Sequence, residues 1–401
     1  MLNAIIVAMS DRRTPPIAAR MADIQPFHVM ALLARARELE AAGRSIVHME
    51  IGEPDFPTAA PIVAAGQAAL AAGYTHYTPA VGLPVLRAAI AKHYRTRYGV
   101  EIDPARIVVT PGASGALQLV LAALIDPGRD VLMSDPGYPC NRTFVRLLEA
   151  RAVGVPTDAV HGYQLTAELA RDYWTERTAA MLVASPANPS GTLLSQEQLT
   201  DLHALACERG AALIVDEIYH GLTYDLEADT ALAIADDIFV INSFSKYYGM
   251  TGWRLGWLVA PISHIAALDK LAQNLFLAAP TLAQHAALAA FTPAAHAVFE
   301  ERRRIFAERR DYLLPALREL GFEIPVVPQG AFYLYAGCQR FTDDSFAFCR
   351  DLLEQAGVAI TPGIDFGTHR ANTHVRFAYT TSLDQLQEGV VRLRGYLEKF
   401  S

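Results

Sequence analysis

Five short segments carry the groups that could do chemistry. Thr110-Pro111-Gly112-Ala113-Ser114-Gly115 ends the run IVVT and opens a helical pattern. Asp135-Pro136-Gly137-Tyr138 follows VLMS, and Ser185-Pro186-Ala187-Asn188-Pro189-Ser190-Gly191 follows MLVA. Asp216-Glu217-Ile218-Tyr219 follows LIV. Ser243-Phe244-Ser245-Lys246 follows FVIN and continues to Thr251-Gly252-Trp253-Arg254. Together they offer a primary amine, a carboxylate, an amide, two phenols, small hydroxyls beside a helix start, and a guanidinium. One cofactor uses that whole set. Pyridoxal 5′-phosphate needs an amine for its aldehyde, a carboxylate for its ring nitrogen, donors for its phenolate oxygen, an aromatic face and a phosphate cup.

The elements around these segments explain why they fall where they do. Between 106 and 260, β-branched runs recur: IVVT, VLMS, MLVA, LIVD, FVIN and LGWLV. Most are separated by helical patterns, as at 114–125, 139–150 and 196–208. Strands alternating with helices predict βαβ units and a mostly parallel sheet covered on both faces. Such sheets bind ligands beyond the carboxyl ends of their strands, and each segment above sits at such an end.

Upstream, 27–42 has helical spacing. It leads into Val47-His48-Met49-Glu50-Ile51 and the turn Gly52-Glu53-Pro54-Asp55; helical patterns follow near 61–72 and 84–97. Downstream, a long charged helix is predicted from Phe299 to Leu320, kinked or broken at Pro315. Then come the segment Gly330 to Tyr335, a helix near 344–356, a turn TPGIDFG at 361–367, a strand His374 to Ala378 and a helix at 382–399. This reads as a smaller α+β domain on which the N-terminal helix could pack. The boundaries drawn are 1–59 (N-terminal arm and part of the small domain), 60–298 (large domain) and 299–401 (C-terminal small domain).

Composition removes several classes of function. The 401 residues are 52% apolar and 19% charged, enough for sizeable cores and a prior of two to three domains. With 34 Lys+Arg against 42 Asp+Glu, the net charge of −8 argues against nucleic-acid binding, which needs a basic face. Cys140, Cys207, Cys338 and Cys349 are scattered, with no Cys/His spacing typical of a metal site. They read as reduced, mostly buried thiols of a cytoplasmic protein. The apolar run at 1–9 lacks a basic flank, against a signal peptide. The stretch 271–299 has no charged residue but carries Gln273, Asn274, Gln284 and His285, so it reads as a buried or interface-forming helix pair rather than a membrane span. No GxxxxGK[ST] is present, and no GxGxxG follows a strand.

The SFSK…TGWR, SPANPSG, DEIY and YTPAVGLPVLR (77–87) blocks, in that family's order, make the chain resemble a class I/II aminotransferase of the pyridoxal-phosphate fold type I, in the aspartate aminotransferase superfamily. The similarity runs from about residue 20 to the C-terminus. It implies an α/β fold, with a mostly parallel seven-stranded sheet in a large cofactor-binding domain and a smaller α+β domain formed by the N- and C-terminal segments. It also implies roles. Lys246 is the amine that holds the aldehyde and then moves the proton at the substrate Cα. Asp216 pairs with the ring nitrogen, although Asp-Glu after a strand is also a good helix cap. Asn188 and Tyr219 serve the phenolate oxygen; as alternatives they are a turn residue and a packed aromatic. Tyr138 stacks on the ring. Gly112, Ala113 and Ser114 at a helix start, with Ser243, Ser245 and Arg254, hold the phosphate. Tyr77 reaches that phosphate from the partner subunit of a homodimer with shared active sites, and Tyr74 is left as packing. Arg376 clamps the substrate α-carboxylate, with Gly52 letting the backbone come close.

The substrates implied are an L-amino acid and a 2-oxo acid. Aspartate-specific relatives carry a second cation. Here the stretch 272–280 has no arginine, and position 114, where one group has lysine, is serine. Phe27, Phe276, Leu277 and Tyr333 could instead line an apolar pocket, which points to a neutral or apolar donor with 2-oxoglutarate or pyruvate as acceptor. Two alternatives stand beside this: a carbon–sulfur β-lyase or similar reaction on the same scaffold, and an aminotransferase-like transcription regulator. The second is disfavoured, because only about 20 residues precede the similarity and no basic DNA-binding domain is seen.

Overall fold

The computed structural model describes residues 16–400; the apolar run at 1–9 lies outside them. Seven strands form the main sheet: β1 (Ile107–Thr110), β2 (Asp130–Asp135), β3 (Arg151–Pro156), β4 (Thr178–Ala184), β5 (Ala212–Asp216), β6 (Phe239–Ser243) and β7 (Gly256–Val259). Their spatial order is β1-β7-β6-β5-β4-β2-β3. All neighbours are parallel except at β7, which runs antiparallel to β1 and β6. The architecture is therefore the expected α/β one, with a mostly parallel seven-stranded sheet.

The central strands are largely apolar because both faces are covered. In β5, Leu213 and Val215 enter one core layer and Ile214 the other. In β7, Trp257 and Val259 face one layer and Leu258 the other. Alternation between two dry layers leaves no polar face to see in sequence. The topology also aligns the strand ends. Asp135, Ala184, Asp216 and Ser243 close β2, β4, β5 and β6, and Thr110 of β1 points the same way.

β3 is not among the runs that read as strands. Arg151, Gly154 and Pro156 dilute its apolar character, and it is tolerated because it is an edge strand pairing only with β2.

The helices include α1 (His28–Ala41), α2 (Gly112–Leu124), α3 (Gln196–Arg209), α4 (Pro293–Glu319) and α5 (Ser345–Ala356); α2 and α3 pack on these strands, whereas α1, α4 and α5 pack on other helices or on the second sheet. The expected break at Pro315 is absent, and α4 runs through it unbroken for 27 residues. Pro315 lies four residues from the helix end, so it removes one hydrogen bond near the terminus. Leu313, Leu314 and Leu317, all buried, hold the turn around it, and packing outweighs the local penalty.

In the stretch 271–299, the charge-free sequence forms the end of a helix at Ile265–Leu275 and a short helix at Thr281–Ala287. Its buried Gln284 accepts from Leu83 N (2.8 Å) and donates to Ala279 O (2.9 Å). That satisfies a polar group inside an apolar packing layer. Among the described residues, no helix is long and apolar enough to cross a membrane.

The last third of the chain builds a second sheet. β8 (Tyr333–Gly337), β9 (Thr361–Pro362) and β10 (His374–Ala378) are antiparallel, in order β9-β10-β8. The segment after α1 joins this region. Val47–His48 pairs with Val358–Ala359, and Ala378 N donates to Met49 O (2.7 Å). α1 buries Leu32, Ala36 and Leu39, while its Arg35 pairs with Glu354 of α5. Glu50 to Gly52 are thereby carried beside β10.

The cysteines are unpaired. Cys338 and Cys349 are buried, but Cys140 is half-buried and Cys207 exposed. That departs from the expectation of mostly buried thiols, because position 207 lies on the solvent side of α3.

Candidate active site

A cavity of about 300 Å³ opens beyond the aligned strand ends. β5 delivers Asp216 as its last residue, buried and accepting from Ile218 N (3.0 Å). Burial pushes its carboxyl up to about 7, against the pull of that N–H and of the Lys246 charge. Lys246 lies three residues beyond β6. Its Nζ donates to Gly52 O (2.6 Å) and stands 5.9 and 5.7 Å from the rings of Tyr219 and Phe332. Burial lowers the amine to about 8; Glu53 and Asp216 oppose this, and Arg376 and Arg254 reinforce it. The amine and the carboxyl have thus moved toward each other, and both exchange protons near neutral pH.

One end of the cavity suits an anion. Gly112 opens α2 with φ +72°, and a Cβ there would stand 2.8 Å from Nη2 of Arg254. A Cβ on Gly256 would meet the Gly112 carbonyl carbon at 2.7 Å. These glycines let the guanidinium and β7 close on the helix start. Arg254 Nη1 donates to Thr251 O (2.9 Å). Ser243 Oγ donates to Leu255 O (3.2 Å) and accepts from Ser245 N (3.0 Å). A cation facing the positive end of a helix is an arrangement that a phosphate completes.

The other end suits a carboxylate. β10 holds Arg376, which is buried. Its Nη1 donates to Asn188 Oδ1 (2.9 Å), and Nη2 donates to Glu50 O (2.6 Å) and Thr361 Oγ1 (3.2 Å). The guanidinium lies 4.2 Å from the Tyr333 ring centre and 4.9 Å from that of Phe366, and its Nε has no partner. The nearby Glu50 carboxylate is engaged by His48 Nδ1 (2.6 Å), whose imidazole is raised to about 9 chiefly by that bond. A buried guanidinium whose hydrogen-bond partners are neutral acceptors is suited to pair with a ligand carboxylate. A Cβ on Gly52 would overlap the Tyr333 hydroxyl, and that hydroxyl shares a hydrogen bond with Tyr219 (2.8 Å). An amine and a carboxyl share one cavity with an anion cup at one end and a cation at the other, a donor set that fits pyridoxal 5′-phosphate with an amino acid.

The residues singled out from sequence converge here. Lys246, Asp216, Tyr219, Ala113, Ser114, Tyr138, Asn188, Ser243, Ser245, Arg254, Gly52 and Arg376 all line the cavity. Gly112 sits just behind, against Arg254. Tyr77 lies apart: it is 82% exposed and lines no part of its own chain's cavity. Tyr74 stacks on His285 at 4.4 Å. Phe27 and Tyr333 are in the wall, whereas Phe276 packs on the sheet layer and Leu277 is exposed.

Val29, Met30, Ile51, Thr361, Asp365 and Phe366 line the wall as well, and sequence reasoning misses them. Asp365 accepts from His28 N (2.8 Å) and Val29 N (2.9 Å), capping α1 from the TPGIDFG turn. No local pattern links positions 337 and 336 residues apart.

Comparison with known proteins gives a consistent picture. The family model described as aminotransferase class I and II matches residues 44–393. The chain is 38% identical to a valine–pyruvate aminotransferase of Mycobacterium tuberculosis, over 97% of this chain and 99% of that one. It is 35% identical to an aspartate aminotransferase of Streptomyces avermitilis, over 96% and 98%. The crystal structure of an aminotransferase from Mycobacterium tuberculosis superposes with a TM-score of 0.93 at 38% identity, covering 96% of this chain and 100% of that one.

Proposed function

The chain belongs to the class I and II aminotransferases, and from that premise we propose that it moves the amino group of a neutral or apolar L-amino acid to a 2-oxo acid such as 2-oxoglutarate or pyruvate. Its cofactor is the family's pyridoxal 5′-phosphate, which supplies an aldehyde for the amino group and a ring that draws electrons from the substrate Cα.

The chain's own residues divide the remaining work. Lys246 Nζ, with its lowered proton affinity, takes and returns the proton at the substrate Cα. Asp216 would hold the cofactor at its ring nitrogen and keep that nitrogen protonated. Asn188 Oδ1 is taken by Arg376, so its amide NH₂ would be left, with the Tyr219 hydroxyl, to donate to the cofactor's phenolate oxygen. Tyr138, which lines the cavity, would help hold the cofactor. Gly112, Ala113, Ser114, Ser243, Ser245 and Arg254 would hold the phosphate, and Arg376 would orient the substrate α-carboxylate next to Gly52.

One observation carries the choice of donor. Among the described residues, the lysine and arginines lining the cavity are Lys246, Arg254 and Arg376, and each has a role already. None of these three is left for a side-chain carboxylate, and the wall includes the apolar Phe27, Val29, Met30, Ile51 and Phe366. The relatives' names point both ways: valine–pyruvate aminotransferase agrees with an apolar donor, and aspartate aminotransferase does not. The same reading includes a cytoplasmic homodimer in which the partner subunit's Tyr77 reaches the phosphate, and a division into 1–59, 60–298 and 299–401. The exposure of Tyr77 supports the shared site.

The test is a panel of amino acids against both oxo-acid acceptors. Alanine, valine, methionine or phenylalanine should lead. Aspartate turning over roughly tenfold faster than these would mean about 1.4 kcal/mol of dedicated recognition and would overturn the donor assignment. Lys246→Ala should abolish turnover.

A further inference from the structure

Away from the cavity, three metal-ligating side chains meet at the opposite end of the sheet. His203 and Cys207 are four residues apart on α3, on one face and one turn from each other. Asp237 lies two residues before β6, whereas the active-site residues Ser243 and Lys246 lie at and beyond its other end. His203 Nε2 is 2.7 Å from Asp237 Oδ1 and 3.3 Å from Cys207 Sγ, which is 3.8 Å from Asp237 Oδ2. Among the described residues this is where three such ligand atoms gather, all within 4.8 Å of one another.

Both supports are fixed. α3 starts in a Ser195–Gln198 capping box and buries Leu199, Leu202, Leu205 and Ala206. The turn before β6 is pinned by the buried Arg106, which pairs with the Asp236 carboxylate and donates to Asp236 O (2.7 Å) and Ala260 O (3.0 Å). The ligand triad is therefore preorganised rather than a chance meeting of long side chains.

Bonds of about 2.0–2.3 Å around a tetrahedral zinc ion set neighbouring ligand atoms roughly 3.3–3.7 Å apart. The two separations involving sulfur lie close to that range. The imidazole–carboxylate separation is that of a hydrogen bond, which lengthens when a cation takes the place of the shared proton.

We propose that His203, Cys207 and Asp237 form a three-ligand zinc site whose fourth position faces solvent. Thiolate with imidazole favours zinc over hard cations such as magnesium or calcium. On binding, the Cys207 thiol gives its proton to water and its sulfur lone pair to the metal. His203 binds neutral through Nε2, and Asp237 binds as carboxylate. Zinc's two positive charges are balanced by the thiolate and the carboxylate, and a water fills the open position. The sequence expectation of no metal site rests on Cys/His spacing alone. The third donor, 34 residues from His203, reaches the pair only through the fold.

The holoenzyme, reduced and treated with chelator, is titrated with cobalt(II) and then with zinc(II). The expected result is one cobalt per chain, with visible bands of tetrahedral coordination and a thiolate-to-cobalt band, both removed by zinc. Cys207→Ser should lose the thiolate band. His203→Ala and Asp237→Asn should weaken zinc binding at least about tenfold. All three should keep wild-type transamination and metal-free thermal unfolding. A cobalt spectrum without a thiolate band, or zinc affinity unchanged in the three variants, would overturn the site.

Discussion

The two ends of the cavity are held by different means. The inner end rests on one sheet, with Asp216 and Ser243 closing adjacent strands and Lys246 three residues further on. Strand pairing fixes them, Asp216 opposite Ile241 and Ser243 opposite Gly256. The outer wall comes from three distant segments: 27–30, 50–52 and 361–376. Polar contacts to backbone tie them together. Arg376 and Thr361 hold the Glu50 carbonyl, Thr380 Oγ1 donates to Ile51 O (2.7 Å), and Asp365 accepts from the start of α1. Placement for proton transfer follows from sheet periodicity, whereas placement for substrate choice depends on a few bonds between remote pieces of chain. Damage at the inner end should therefore appear in kcat, and damage at the outer wall should appear in KM.

Arg376 tests where the two regions meet, because it binds both the wall and Asn188. Arg376→Ala removes a ligand clamp and leaves the Glu50 carbonyl short of a donor. Hydrogen bonds to charged groups contribute about 1.5–3 kcal/mol each, so losing two should lower kcat/KM by roughly a hundredfold or more. Arg376→Lys should recover only part, since an ammonium lacks the planar fork. Steady-state kinetics on folded variants decide it. A loss of only a few-fold would separate Arg376 from the substrate.

The same division explains what can be read from the amino-acid sequence. Inner-end residues lie in contiguous motifs at strand ends, so Lys246, Asp216 and the Gly112–Ser114 turn are legible, as is the alternation of strands and helices that positions them. The wall is half legible: Gly52 and Arg376 are found through resemblance, while Val29, Ile51, Asp365 and Phe366 carry no local mark. Asp365 in TPGIDFG reads only as a turn until the fold sets it under His28 and Val29. The misreadings have the same origin. Local propensity points to a break at Pro315 and hides the edge strand β3, and tertiary packing decides both.

A second test addresses the inner end alone, through proton linkage. Asp216 has its folded-state affinity raised by burial to about 7, from 3.8 as the ordinary value. In the cofactor-free protein the folded state then keeps a proton that the unfolded chain releases. The stabilisation is complete below about pH 4, declines as pH rises toward 7 and levels off above it. The slope cannot exceed about 1.4 kcal/mol per pH unit, and on the order of 2 kcal/mol across the window is expected. Urea unfolding of wild type and Asp216→Asn between pH 4.5 and 8 isolates this contribution. A constant difference between them would mean that the carboxyl is not held in a dry site.

The smallest effect belongs to the wall, and it asks whether the wall can be loosened without touching the chemistry. Asp365 caps α1 through two backbone N–H groups, and α1 begins directly after Phe27, with Val29 and Met30 also facing the cavity. Loss of a helix cap costs about 0.5–2 kcal/mol. Asp365→Ala should therefore lower unfolding stability by about 1 kcal/mol and raise KM for an apolar donor several-fold with kcat nearly unchanged, since no cap atom reaches Lys246. Asp365→Asn, which keeps one acceptor oxygen, should fall between. If kcat drops instead while KM stays put, the wall and the proton-transfer end move as one body, and the contrast between them fails.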